Sequence, residues 1–468
     1  MMTTRAPVRS IADLGGRRAV VLGLARSGVA ASRFLADAGA IVVAYDRRPA
    51  GELADAVTAL GARPVQLALG VTEAEATALL EHADLLVTSP SVSARFPTTD
   101  PWLRDALLAA EAKAAEIVSE VGLFLRLTRA RVLGVTGTKG KTTTSSLLAA
   151  ILEAGGLPVV LGGNIGTPLV ERVTELGPDD WAVVELSELQ LPTIDRGVDV
   201  ALYTNIGEDH LDRHGSVEAY RAVKARLAEL SAGQGTIVLN ADDPGCRDLG
   251  ARIGGDAHWY GFDGPNLSAR VADGWVVVGD ERILPVIDVP LPGRHMLANV
   301  LGAALAASLV GVEASAIAGA VRGFSGVPHR LEAIAERAGI RWMNDSQATI
   351  PVAAIAALEA FDAPVVIIAG GKDKGLAYDA FADAVAARCR VAVLIGETAD
   401  EVEQLIGGRV PVRRASDMEE AVALAASAAQ PGDVVLLAPA AASFDMFTDY
   451  AARGDAFRAA VERLGGDE

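Results

Sequence analysis

The stretch from Val132 to Thr144 constrains the fold of this chain more than any other. A largely apolar run, Val132-Leu-Gly-Val-Thr136, meets Gly137-Thr-Lys-Gly-Lys141-Thr-Thr-Thr144 and then a helical segment. Apolar runs of this kind are strands covered on both faces, and such strands belong to parallel sheets flanked by helices. A glycine-rich turn into a helix N-terminus leaves backbone N–H groups unhindered and converging, which makes a cradle for phosphate. Gly137, Thr138, Lys139, Gly140 and Thr143 would form that cradle, Lys141 would reach the β- and γ-phosphates, and Thr142 would offer magnesium a hydroxyl. The spacing is irregular, since Gly134 precedes Gly140 by one residue too many for the strict phosphate-loop pattern. An ordinary glycine turn has no need of Lys141 and Thr142 together, so ATP is the expected ligand.

A length of 468 residues exceeds what one core fills and, at roughly 150 residues per domain, predicts three domains. The first opens as a βαβ unit: strand Ala19–Leu22, turn Gly23-Leu-Ala-Arg-Ser27-Gly28, an Ala-rich helix to Ala38, and strand Ile41–Tyr45 ending on Asp46. This is the opening of a nucleotide-binding fold, although the middle glycine of the dinucleotide fingerprint is missing. Plain helix–strand packing would account for the glycines, but Asp46-Arg47-Arg48 adds polar groups at the ligand-facing edge. After strand Ala83–Val87 the irregular, Pro-rich stretch from Ser89 to Pro101 reads as a linker, and one helix is expected from Trp102 to about Leu125. Strands at 132–136, 181–186, 200–204 and 236–239 alternate with helices, as a parallel sheet demands. A Gly-Val-Pro break between Gly323 and Arg330 precedes a fresh series at 341–343, 365–369, 391–395 and 434–438. The expected architecture is therefore α/β: a Rossmann-like domain over 1–99, a central phosphate-loop domain over 100–326 and a Rossmann-like domain over 327–468, each on a mostly parallel sheet.

A formal net charge of -18 excludes the basic face that nucleic acid requires, so anionic ligands must be held by local cations, helix N-termini or metal ions. Cys246 and Cys389 have no thiol or histidine partner at metal-site spacing and read as buried filler. No signal-like apolar segment opens the chain and no run approaches the ~20 apolar residues of a membrane span. A cytoplasmic monomer acting on small molecules, without nucleic acid or membrane, is the expectation.

Polar groups gather at the ends of the central strands, where ligands bind in such sheets. Glu185 closes the run Trp181-Ala-Val-Val-Glu185, placed to ligate a metal. The next strand runs into Asn205-Ile-Gly-Glu-Asp-His210-Leu-Asp-Arg-His214. His210 in that cluster is a candidate ligand, and two magnesium ions would neutralise a triphosphate and a second anionic substrate. Lys224 lies on a following helix and by itself reads as a solvated charge. Asn299, on the helix after Pro292-Gly-Arg-His295, could reach an adenine edge.

Taken in order, these blocks resemble the Mur ligase family. They are Gly-Thr-Lys-Gly-Lys-Thr-Thr, Gly163-Asn164-Ile-Gly166, Glu185-Leu-Ser187-Glu-Leu-Gln190, Glu-Asp-His-Leu-Asp-Arg, Tyr220-x-x-x-Lys224, Pro-Gly-Arg-His, Pro328-His-Arg330, Asn344-Asp345-Ser346, Gly370-Gly-Lys-Asp-Lys374 and Ser443-Phe-Asp-Met-Phe447. The resemblance spans the chain and implies an ATP-dependent amide ligase of peptidoglycan precursor synthesis. ATP would phosphorylate the carboxylate of UDP-N-acetylmuramoyl-L-alanine, and the amine of glutamate would attack the acyl phosphate, releasing ADP and phosphate. It further implies that Lys141 holds the transferring phosphoryl group and that Thr142 and Glu185 hold one magnesium. His210 and a carbamate on Lys224 would hold the second. Ser27, Asp46, Arg47, Arg48, Ser89, Asn164 and Ser187 would contact the UDP substrate, and Asn299, Arg330 and Asp345 the ATP. Closure of the third domain would exclude water from the acyl phosphate.

The chain departs from the family at the amino-acid end. The usual Asn-Asp-Ser-Lys-Ala-Thr-Asn becomes Asn344-Asp-Ser-Gln347-Ala-Thr349-Ile350, Ser-Pro-Ala-x-Ala-Ser becomes Ala438-Pro-Ala-Ala-Ala-Ser443, and Tyr450 stands where Phe is typical. Gln347, Thr349, Lys374, Ser443 and Tyr450 remain to hold glutamate. Losing a cation from a site for a dianion weakens binding unless the pose changes. D-glutamate is the default substrate, and L-glutamate with a separate epimerase is the alternative. A folylpolyglutamate synthase-like ligase and a nucleotide-binding scaffold without turnover are two further readings of the phosphate loop.

Overall fold

A computed structural model of the chain describes residues 6–96, 98–208, 211–254, 257–264, 266–290 and 293–464. The chain divides into two compact units, one up to Phe324 and one from Ser325 onward.

The first unit holds two sheets. Strands β1 (Arg18–Leu22), β2 (Ile41–Asp46), β3 (Val65–Leu69), β4 (Leu85–Thr88) and β5 (Glu116–Ser119) form a parallel sheet in the order β3-β2-β1-β4-β5. Successive side chains of a strand face opposite ways, so β1 feeds two cores. Val21 packs with Ala30, Ala31 and Leu35 of the helix Arg26–Asp37, while Val20 and Leu22 pack with Leu103, Ala106 and Leu107 of the helix Pro101–Ala112.

The single helix expected from Trp102 to about Leu125 is instead two helices with a strand between them. The chain forms Pro101–Ala112, turns at Ala114 with φ of 66°, lays down β5, and forms a second helix, Glu120–Leu127. No Gly or Pro marks the break. It is made by the open edge of β4, whose backbone groups pair with β5 from Leu85↔Glu116 to Thr88↔Ser119. The stretch expected as a linker, Ser89 to Pro101, buries Phe96 and Thr99 and leads straight into a helix packed on the same sheet.

The second sheet has nine strands among the described residues: β6 (Arg131–Thr136), β7 (Val159–Gly163), β8 (Trp181–Glu185), β9 (Val200–Tyr203), β10 (Thr236–Asn240), β11 (His258–Gly261), β12 (Ala269–Ala272), β13 (Trp275–Val278) and β14 (Glu281–Pro285). Their order is β14-β13-β12-β11-β10-β9-β6-β8-β7, and pairing is parallel except at β12–β13 and β13–β14. The phosphate-loop strand β6 thus lies inside the sheet, between β9 and β8. The helix Lys141–Ala154 is anchored by Leu147, Leu148, Ile151 and Leu152, each fully buried and each contributing about 1.5–3 kcal/mol of burial free energy.

The second unit carries β15 (Glu332–Arg337), β16 (Ile340–Asn344), β17 (Val365–Gly370), β18 (Cys389–Ile395), β19 (Val412–Arg414) and β20 (Val434–Leu437). The order is β15-β16-β20-β17-β18-β19, parallel except at β15–β16. β15 and β16 form an antiparallel ribbon at one edge, and the rest is a doubly wound parallel sheet. Among the described residues no helix is long and apolar enough to cross a membrane.

Candidate active site

Gly137 to Gly140 form a turn at the C-terminal end of β6, and Lys141 starts the helix that follows. The turn is held from the neighbouring strand β9. Asn205 accepts from Lys139 N–H through Oδ1 at 2.9 Å and donates to Lys139 O through Nδ2 at 2.9 Å, while Thr204 Oγ1 donates to the same carbonyl at 2.6 Å. Thr138 Oγ1 meets Tyr220 Oη at 2.9 Å and accepts from Gly207 N–H at 3.0 Å. Such fixing of the loop orients its N–H groups before any phosphate arrives. The Lys141 ammonium lies back on the loop, donating to Gly137 O at 3.0 Å and Thr138 O at 2.9 Å.

Gly137 is required by this geometry. Its φ is 148°, and a Cβ there would lie 1.9 Å from Thr204 Oγ1. Gly137→Ala should lower the affinity for ATP at least about tenfold and destabilise the fold by ~2 kcal/mol, through steric overlap and an unfavourable φ. ATP titration calorimetry and urea unfolding check both, and an alanine variant that binds ATP normally would overturn the assignment. Asn299, expected at an adenine edge, lies beside the loop, with Oδ1 2.7 Å from where a Cβ on Gly140 would stand.

Glu185 ends β8, next to β6, and is 1% exposed. Oε1 accepts from Asn164 Nδ2 at 2.9 Å, and the Asn164 N–H donates to Glu185 O at 2.9 Å. Oε2 is buried and has no hydrogen-bond partner among the described residues. A buried carboxylate oxygen without a partner is costly unless a cation covers it. Thr142, in the first helical turn, is buried too. A carboxylate oxygen, a hydroxyl and phosphate oxygens are a donor set suited to magnesium. His210 lies outside the described residues, among which no group of three His, Cys, Asp or Glu could hold a metal without further ligands.

Lys224 is not a solvated charge. The helix Val217–Ser231 carries it into the core behind the phosphate loop, 0% exposed. Its Nζ donates to Gly137 O at 2.9 Å and Thr136 Oγ1 at 3.4 Å, lies 3.8 Å from Glu188 Oε2, and sits 5.5 Å above the Tyr220 ring. These acceptors suit the ammonium form of the side chain. Ser187 is also buried, with N–H and Oγ both donating to Gln190 Oε1.

Two cavities flank Ser89 at the C-terminal ends of β1, β2 and β4. One of about 370 Å³ is bounded by the Gly23–Gly28 turn with Ser27, by Arg48 and by Glu120, and one of about 320 Å³ by Arg47, Thr99 and Asp100. Gly28 is needed for the turn, because a Cβ there would come within 1.8 Å of Gly23 O. Burial would raise the Asp46 carboxyl, but Arg48 and the Leu24 N–H hold it at about 2. All five residues expected from the first domain, Ser27, Asp46, Arg47, Arg48 and Ser89, line one or both cavities.

In the second unit, Gln347 and Thr349 follow β16, Lys374 follows β17, and Ser443 and Tyr450 follow β20. These strands are adjacent and parallel in the order β16-β20-β17, so the five residues share one edge of the sheet. Arg453 binds the loops together, donating to Ser346 Oγ at 3.0 Å, Ser346 O at 2.9 Å, and Ala441 and Ala442 carbonyls at 3.1 Å. Burial pushes the Asp345 carboxyl up to about 6 against the Leu331 N–H and Arg330. Sequence reading missed Arg453 as it missed Thr204, Asn205 and Glu188. Of these, Asn205 and Glu188 stood in polar stretches that follow strand ends, and Thr204 closed the expected strand 200–204, which were the signals in the linear chain.

The chain matches two family models, the Mur ligase middle domain over residues 135–307 and the Mur ligase glutamate ligase domain over residues 329–441. It is 40% identical to a UDP-N-acetylmuramoylalanine–D-glutamate ligase of Solibacter usitatus over 96% of this chain and 99% of that protein. The ligase of the same name from Symbiobacterium thermophilum is 39% identical, over 96% and 98%. In fold the chain is similar to the crystal structure of UDP-N-acetylmuramate-alanine ligase from Thermotoga maritima, with a TM-score of 0.54, 17% identity, and coverage of 97% of this chain and 100% of that one.

Proposed function

This chain belongs to the Mur ligase family, and on that premise we propose that it joins D-glutamate to UDP-N-acetylmuramoyl-L-alanine at the expense of ATP. It is an ATP-dependent ligase. The observation that carries the reading is the buried Glu185 carboxylate, with one oxygen unpartnered, on the strand beside the phosphate loop. Two relatives bearing that ligase name at nearly full length support the substrate pair.

In this reading the loop N–H groups and Lys141 grip the triphosphate, and Lys141 leaves the loop carbonyls to follow the γ-phosphoryl group as its charge develops. Thr142 and Glu185 would hold magnesium, which when bound supplies positive charge between the phosphates. Asn164 keeps the Glu185 carboxyl in one orientation by bonding Oε1. The UDP end of the substrate enters the cavities beside Ser89, with Arg47 and Arg48 at their rim. The carboxylate takes the γ-phosphoryl group, and the glutamate amine displaces phosphate to form the amide. Gln347, Thr349, Lys374, Ser443 and Tyr450 would hold glutamate in the second unit.

Phosphate release with ATP, UDP-N-acetylmuramoyl-L-alanine and each glutamate enantiomer tests this directly. D-glutamate is expected to give kcat/KM at least about tenfold above L-glutamate, and that difference corresponds to about 1.4 kcal/mol. Gln347 is a specific reason to run the L-enantiomer, since a neutral amide holds a carboxylate less firmly than a lysine and its geometry selects a different pose. Preference for L-glutamate would overturn the D-assignment alone, turnover with a folate would overturn the substrate class, and ATP binding without turnover would overturn the enzyme.

A further inference from the structure

Glu120 is a buried ionisable group that the reaction above does not use. It follows β5 directly, as the first residue of the helix Glu120–Leu127, and is 4% exposed. Glu120 lines the cavity of about 370 Å³ beside the Gly23–Gly28 turn. Oε1 accepts from Val170 N–H at 2.7 Å, and the Leu169 backbone also bonds the carboxyl. The turn at 169–172 follows the loop of Asn164, whose amide orients Glu185. One residue thus joins the wall of that cavity and, through its carboxyl, the segment that follows the Asn164 loop.

Arg26, at the start of the helix Arg26–Asp37, attracts the Glu120 carboxyl, and Glu171, beside Val170, repels it. Asp46 and Arg48 line the same cavity but are bonded to each other. Burial pushes the Glu120 carboxyl up to about 7, against the Val170 and Leu169 N–H groups, with Glu171 adding to the rise and Arg26 opposing it. Near neutral pH the group stands between its two forms.

We propose that Glu120 is the proton-linked binding residue of this cavity, taking up a proton from solvent when a nucleoside diphosphate enters. Bringing a diphosphate against a carboxylate in a part-closed cavity is repulsive, and protonation removes the repulsion. The neutral carboxyl then offers an O–H donor to a phosphate oxygen. Its carbonyl oxygen still accepts from Val170 N–H, so the clamp on the turn at 169–172 persists. This inference rests on the reading that the cavity holds the UDP moiety.

The probe is UDP-N-acetylglucosamine, whose diphosphate diester lacks the monoester proton that titrates at about pH 6. Calorimetry in two buffers of different ionisation enthalpy counts the protons. At about pH 8 the unsubstituted chain should take up close to one proton, and its dissociation constant should rise roughly tenfold per pH unit above neutral. Glu120→Gln should take up none, lose the pH dependence, and at about pH 8 bind roughly tenfold more tightly than the unsubstituted chain. Binding without a buffer-dependent heat, or the same pH slope in both chains, overturns the proposal while leaving the cavity reading intact. Failure of the probe to bind sinks the cavity reading and this inference with it. Should Glu120→Gln not fold, the proton count on the unsubstituted chain decides alone.

Discussion

Lys141→Ala should lower kcat/KM for phosphate release by roughly a thousandfold while leaving the fold unchanged. The reason is geometric. Lys141 is the first helical residue after the loop, and its ammonium is the side-chain cation that rests on the Gly137 and Thr138 carbonyls. A triphosphate in the loop gives it a stronger acceptor, and the interaction strengthens further as charge builds on the transferring phosphoryl group. Losing it therefore falls on kcat as well as on ATP binding. Stopped-flow phosphate release and an unfolding curve measure the two sides. If the alanine variant keeps a tenth of the activity, the phosphate loop has another role.

Glu185→Gln should separate stability from activity. The carboxylate is buried, one oxygen is satisfied by Asn164, and the other is orphaned. An amide of the same shape removes an uncompensated buried charge, so the metal-free chain should gain about 1 kcal/mol of stability. Activity should fall by roughly a hundredfold to a thousandfold, and the magnesium concentration for half-maximal rate should rise at least about tenfold. Sites that sacrifice stability for chemistry behave in this opposed way. Equal loss of stability and activity would make Glu185 a structural residue, and unchanged magnesium dependence would remove it from the metal site.

The two experiments also bear on Lys224. Its ammonium bonds the same Gly137 carbonyl as Lys141. When Lys141 turns to a phosphate, Lys224 keeps that carbonyl satisfied, so the loop does not have to rearrange around an unpaired acceptor. Glu188, 3.8 Å away, supplies the charge that lets a fully buried lysine remain there.

Much of this site is legible in the order of amino acids alone. The phosphate loop, Glu185 at a strand end and the Gly23–Gly28 turn are set by local chemistry: glycines where backbone must approach closely, apolar runs where strands are buried, polar residues where strands stop. Those signals act over a few residues, so they survive in the linear chain. Gln347, Thr349, Lys374, Ser443 and Tyr450 were named by the resemblance, and the strand order β16-β20-β17 sets their loops on one edge, because loops after adjacent parallel strands emerge together.

What the linear chain did not carry is the environment each side chain meets after packing. Lys224 lies 87 residues from the Gly137 carbonyl that it bonds, and apart from the Tyr220-x-x-x-Lys224 block of the family resemblance its own stretch of sequence reads as that of a surface lysine. The helix expected from Trp102 to about Leu125 failed for the same reason, since an unpaired edge of β4, some thirty residues away along the chain, recruited Glu116–Ser119 as a strand. Glu120 shows the contrast most plainly. By sequence it falls near the end of the single helix expected from Trp102 to about Leu125, with nothing to set it apart from an exposed acid. Only when β5 and the turn at 169–172 close over it does burial bring its carboxyl to about 7. Local pattern thus determined the loop, the strands and the class of chemistry, whereas burial and long-range pairing, which depend on the whole packed chain, decided which charges are held, which are orphaned and which can take up a proton.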